Sequence, residues 1–129
     1  MLFSIDIGTI DDLQSIVKIN KRIFKETKSE EIVLKEHYLN LLNKKRHLIL
    51  LVKESSRVIG SSIAIERNKN YHIWVLGVSE LILKKGVGDK IIDYNMNLAR
   101  KGKFKMITIS VYEGQNELVD ILLNKGFTA

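Results

Sequence analysis

Apolar positions in this chain switch between two spacings, and the switches mark its elements. Leu2 to Ile7 alternates, with Phe3, Ile5 and Ile7 set against Ser4 and Asp6, and Gly8 ends the run. A period of two predicts a half-buried strand. From Leu13 the spacing lengthens. Leu13, Ile16, Val17, Ile23 and Phe24 share one face, and Lys18, Lys21, Arg22 and Lys25 lie outside it. This is the pattern of an amphipathic helix, with Asp11 or Asp12 placed to cap it. Thr27-Lys28-Ser29-Glu30 has capping-box spacing and predicts the start of a second helix, whose inner face carries Leu34, Tyr38, Leu41 and Leu42.

His47 to Val52 is the longest strongly apolar stretch, and His47 to Lys53 reads as a buried strand. Glu54-Ser55-Ser56-Arg57 and Asn68-Lys69-Asn70 are turn sequences, so Val58 to Glu66 and Tyr71 to Val78 continue an antiparallel meander. Gly60, alone inside a strand, marks a bulge or a close backbone approach. A loop, Lys84-Lys85-Gly86-Val87-Gly88, leads into a helix with Val87, Ile91, Asn95 and Leu98 on one stripe, closed by Gly102 as its C′ glycine. Lys105 to Tyr112 alternates again. Gln115 to Lys125 is the last helix, packing Leu118, Ile121 and Leu122. The order β-α-α-β-β-β-α-β-α predicts an α/β fold on a mixed sheet. Tyr71 to Tyr112 forms its right-handed parallel crossover.

Composition narrows the picture. A chain of 129 residues suits one domain, 1–129, and shows no linker or repeat. No apolar run approaches the ~20 residues of a membrane span. Asp6, Asp11 and Asp12 interrupt any cleavable leader, so a cytoplasmic location is expected. Without cysteine there is no disulfide, thiolate ligand or thiol nucleophile, and three scattered histidines lack metal-ligand spacing, so no metal is expected. The net charge of +6 points to an anionic partner, either nucleic acid or a nucleotide phosphate. Basic residues are dispersed, and Phe104 is the one aromatic set among them, which disfavours nucleic acid.

The chemistry concentrates between Ile73 and Ile92. A strand, a glycine turn with two lysines and a helix start together make an anion site: glycine admits close backbone approach, and the first helical N–H groups lack partners within the helix. The dinucleotide fingerprint fails, because its third glycine would fall at Ile91, and no window fits a P-loop. Alone, the loop reads equally well as a tight turn with two solvated lysines.

The order of elements and three local motifs together resemble the GNAT N-acetyltransferase superfamily. The opening from Ile5, I-D-I-G-T-I-D-D, is similar to that family's I-R-x-A-T-x-x-D. L-G-V-S-E-L-I-L-K-K-G-V-G, from Leu76, is similar to its acetyl-CoA segment, L-x-V-x-P-x-x-[RQ]-x-x-G-x-G. Asn116 to Phe127 is similar to its N-x-x-A-x-x-L-Y-x-K-x-G-F ending. The resemblance covers nearly the whole chain. It implies an acetyl-CoA-dependent N-acetyltransferase in which an amine attacks the thioester directly. The pantetheine arm would lie between splayed strands, bonded to the backbone of Leu76 and Val78. The pyrophosphate would sit on Leu83, Lys84, Lys85, Gly86, Val87, Gly88 and Asp89, and Asn116 completes the cofactor set.

The chain departs from that pattern. Leu83 stands where the family has Arg or Gln, and Asp89 puts a carboxylate near the pyrophosphate. Leu122 or Leu123 replaces the tyrosine acid of the last helix, which leaves Tyr112 or Ser110 as substitutes. Glu66, His72 and Glu80 are candidate bases, of which Glu80 is nearest the cofactor strand. Only Thr128 and Ala129 follow Phe127, where the family continues with further strands. An uncovered edge strand implies a homodimer or an acceptor site open to a larger substrate. The acceptor class is a small-molecule or peptide amine. The alternative is a catalytically degenerate relative that binds acyl-CoA or a protein.

Overall fold

The computed structural model describes residues 2–25 and 34–129, so the capping box expected at 27–30 lies outside the described residues. One five-stranded sheet runs in the order β1 (Phe3–Gly8), β2 (His47–Glu54), β3 (Arg57–Arg67), β4 (Asn70–Gly77), β5 (Ile107–Ile109). β1 to β4 are antiparallel neighbours, and β5 lies parallel to β4. The two hairpins need only two-residue turns, Ser55-Ser56 and Asn68-Lys69, all four residues at positive φ. That geometry matches the right-handed twist of the strands they join.

Alternation along the strands sorts the core onto two faces. Ile49, Leu51, Ile63 and Ile65 meet α1 (Leu13–Ile23) and α2 (Lys35–Lys44) through Leu13, Ile16, Tyr38 and Leu42. Leu50, Val52, Ala64 and Ile73 meet α4 (Gly88–Lys101) and α5 (Asn116–Asn124) through Ile91, Ile92, Leu118 and Leu122. A single helical turn, α3 (Glu80–Ile82), follows β4.

Two buried polar groups pin these layers. Asn95 of α4 accepts from the Tyr71 hydroxyl at 2.6 Å and donates to Ser62 Oγ at 3.2 Å, fixing the crossover helix to β3 and β4. Asn20 of α1 donates to the Tyr38 hydroxyl at 2.9 Å, and burial pushes that phenol up to about 12. Asn20 packs so closely on Gly77 that a Cβ there would overlap its amide.

The structure corrects several local expectations. The N-terminal cap falls on Thr9, one turn before α1: Thr9 Oγ1 accepts from the Asp11 N–H, and Asp12 reaches back to the Thr9 N–H at 2.8 Å. Gly102 ends α4 at φ −78, and Lys103 takes the left-handed position. A Cβ at 102 would lie 2.7 Å from the Phe104 ring, so a larger residue there would have to displace that ring. That ring packs edge-on against Tyr71, at 5.7 Å between centroids. Both readings of Gly60 hold. The register slips beside it, between Val52 and Lys53, and its Cα faces Val78 and the Gly77 carbonyl.

Candidate functional site at the splay of two parallel strands

β5 is shorter than its alternating sequence predicts, and the reason lies in β4. Pairing between them runs from Tyr71↔Ile107 to Ile73↔Ile109 and ends where Ser110 N–H donates to the Ile73 carbonyl. The next residue is an insertion: β3 pairs Ile63 with Val75 and Ala64 with Ile73, which leaves Trp74 unmatched. Trp74 and Val75, though consecutive, both join the α1–α2 core, and Leu76 returns to the other side. One extra residue sharpens the local twist and shifts the alternation of backbone groups. Before the bulge the groups facing β5 are Tyr71 N–H and Ile73 C=O. After it they are the carbonyls of Trp74 and Leu76. The strands therefore part with main-chain polar groups aimed into the gap.

Two side chains from beyond β5 occupy those carbonyls. The Tyr112 hydroxyl donates to Trp74 O at 3.0 Å, and Gln115 Nε2 donates to Leu76 O at 2.8 Å. Gln115 Oε1 accepts from Tyr112 N–H at 2.9 Å, so this one buried amide bridges the two diverging segments. Gln115 was not among the expected site residues. Its only sequence signal is a neutral amide at the expected start of the last helix, which in fact begins at Asn116.

The bend that follows is helical on both sides. α3 leads into a wide turn, Leu83–Val87, broken only at Lys85 (φ −85, ψ 15) and Gly86 (φ 88, ψ −2). Leu83 adds no free donor, since its N–H bonds Ser79 O at 2.9 Å and its side chain is buried in the core. The expected amide cradle therefore loses its first member, because helix begins before the loop as well as after it. Gly86 holds a positive φ, and the space a Cβ would enter is open. Gly88 has a different reason: a Cβ there would strike Ile121, so this glycine seats α4 against α5. Val87 is a core residue, and Lys84 and Lys85 are exposed. Asp89 pairs with Lys125 at 3.3 Å, and Lys125 also reaches Asp93 at 2.9 Å.

A cleft of about 650 Å³ opens beside the gap, lined by Ile23, Phe24, Val78, Glu80, Leu83 and Gln115 among others. Glu80, the expected base, is committed elsewhere. Its Oε1 accepts the N–H groups of Asn116 at 3.0 Å and Glu117 at 3.3 Å, so it caps α5. The Asn116 N–H is consumed by the same contact. Glu66 sits near Arg46 at 3.8 Å, on the far part of the β3–β4 hairpin. Leu122 is buried in the core and Leu123 is exposed, so neither stands in for a tyrosine.

His72 is buried where the strands still pair, bonded to Thr108 Oγ1 at 2.7 Å and Ser110 Oγ at 3.0 Å. Burial, with the Arg67 charge second, pushes its imidazole down to about 4. The ring is neutral in the fold and takes up a proton more readily when unfolded. Its contribution to stability is complete above the unfolded value of ~6.5 and declines as pH falls toward 4, by up to about 3 kcal/mol. Urea midpoints should accordingly fall between pH 7 and 4.5. His72→Gln should flatten that slope, and an unchanged slope would show that other groups carry it.

No protein-family model matches the sequence, and no curated protein does. Solved structures do match. PaiA N-acetyltransferase from Thermoplasma acidophilum, in complex with coenzyme A, superposes with a TM-score of 0.76 at 17% identity, over 99% of this chain and 91% of that one. This chain has the GNAT acetyltransferase fold. An aminoglycoside acetyltransferase from an uncultured soil metagenomic sample shares the GNAT fold with a TM-score of 0.71 at 19% identity, over 98% and 89% of the two chains. A transcriptional regulator from Bacillus halodurans matches with a TM-score of 0.75 at 12% identity, over 99% and 94%. The described part of the GNAT fold here has no helix long and apolar enough to cross a membrane, and no cluster of metal-ligating side chains among the described residues.

Proposed function

We propose that this protein is an acetyl-CoA-dependent acetyltransferase acting on an amine. The observation that carries the reading is the bulge at Trp74. It turns the Trp74 and Leu76 carbonyls into the gap between β4 and β5, beside a bend held open by Gly86. Two solved neighbours are acetyltransferases, one of them in complex with coenzyme A.

In this reading acetyl-CoA supplies an acetyl group activated as a thioester. Leu76 and Val78 hold the pantetheine arm by their backbone, in place of the Gln115 amide. Lys84, Lys85 and Gly86 face the pyrophosphate, with Val87, Gly88 and Asp89 shaping the start of α4. Asn116 opens α5 next to Gln115 of the cleft wall, and Glu80 steadies it by capping that helix. Tyr112 places its hydroxyl at the apex of the gap, where it serves as proton donor to the departing thiolate. His72 is a poor base here, since its two ring nitrogens are engaged by Thr108 and Ser110 and its basicity is low. The nitrogen, cationic after attack, loses its proton to solvent through the open cleft, and solvent returns a proton to Tyr112.

Calorimetry with acetyl-CoA, followed by thiol release over a panel of amines, tests the reading. Micromolar binding with amine-dependent release is expected, and no binding would overturn it. Tyr112→Phe should keep the binding and lower kcat by about 10²-fold, the lower end for loss of a general acid. A second reading, a non-catalytic acyl-CoA sensor, draws on two features. Glu80 is tied up as a cap, and the same fold occurs in a transcriptional regulator. Binding without release over the whole panel would favour it.

A further inference from the structure

A second hollow, of about 440 Å³, lies on the α2 side of the gap, between α2, the ends of β3 and β5, and the bulge of β4. Its wall holds Tyr112, Ser110 and Trp74, and so includes the Tyr112 hydroxyl and the Trp74 carbonyl where the strands part. Leu41, Ile65 and Trp74 give it an apolar floor, and Lys44, Lys45 and Arg67 ring it. No acidic residue lines it among the described residues, and none of these three cations has a carboxylate within ion-pair distance there. The neighbouring pair Arg46–Glu66 shows what neutralisation looks like on this surface. Lys44 lies in the last turn of α2, where a cation favours the helix C-terminus, and this accounts for one charge but not for Lys45 or Arg67.

We propose that the acceptor is an amine that also carries an acidic group, a carboxylate or a phosphate. This rests on the acetyltransferase reading and names the substrate class of the same site. The acidic group meets Lys44, Lys45 and Arg67, the apolar body lies over Leu41, Ile65 and Trp74, and the amine is directed to the apex at Tyr112. Three like charges concentrate such an acceptor and repel a polyamine, whose additional ammonium groups would be seated among them. Arg67 offers a planar fork suited to either oxyanion, whereas the lysines act as point charges.

Matched acceptors test this by equilibrium binding to the protein loaded with CoA, and by turnover where it occurs. The pairs are tryptophan against tryptamine and 2-aminoethyl phosphate against ethanolamine, with spermidine as the polycation. The acidic member of at least one pair should bind about tenfold tighter than its neutral partner, the advantage shrinking as salt is raised. The first pair reports carboxylate and the second phosphate. Arg67→Glu should erase that advantage, with thermal unfolding as the check on folding. Equal binding within both pairs, tighter binding of spermidine, or no binding of any acceptor overturns the proposal. Calorimetry of acetyl-CoA on the same sample is read separately, so a failed cofactor reading is told apart from a wrong acceptor class.

Discussion

Gly86→Glu is expected to leave the protein folded and to weaken acetyl-CoA binding by at least ~100-fold, which corresponds to about 3 kcal/mol. Two effects separate cleanly at this position. Gly86 has φ 88, so any L-residue there is strained by about 1–2 kcal/mol. A Cβ meets nothing within 4 Å, so no packing is lost. The strain alone should lower the thermal midpoint by several degrees in a domain of this size. Gly86→Ala measures that strain without adding charge. Glutamate adds to it a carboxylate in the space assigned to the pyrophosphate, where like charges oppose each other. Calorimetry on both variants therefore decides the matter. If the glutamate variant binds as the alanine variant does, the phosphates do not sit at this bend.

Gln115→Leu should lower the stability of the ligand-free protein by about 2–4 kcal/mol, since a lost buried hydrogen bond that strands its partner costs ~1–3 kcal/mol. The bulk of the side chain is kept, while Leu76 C=O and Tyr112 N–H both lose their partner. Saturating acetyl-CoA should restore more stability to this variant than to the wild type, because pantetheine amides would supply the missing donor to Leu76. Thermal midpoints with and without ligand measure both numbers. A midpoint equal to wild type without ligand would show that the amide is dispensable to the junction.

Much of the fold was legible because the core is sorted by simple periods. β2 and β3 bury alternate residues on two covered faces, and their apolar runs announce it. α4 was legible through Ile91 and Asn95, and the bend before it through Gly86. What escaped is what depends on pairing across long separations. The bulge at Trp74 has no local mark, since its sequence, I-W-V-L, is as good an unbroken strand as any. Glu80 looked like a spare carboxylate until α5 was placed with its first N–H groups 3.0 and 3.3 Å away. His72 read as a candidate base beside the Asn68-Lys69-Asn70 turn, yet it is buried against Thr108 of β5 and Ser110 just after it. The two glycines of the loop read as one motif, but one serves backbone conformation and the other helix packing.

The unmatched residue at Trp74 has a genetic counterpart. A ribbon that paired along its whole length would become a receptacle through the gain of a single codon, with every later residue keeping its partner on β3. The gained residue is also a core aromatic, seated edge-on against Tyr38 at 4.9 Å between centroids, so loss of that one triplet would strip a ring from the α1–α2 layer along with the bulge.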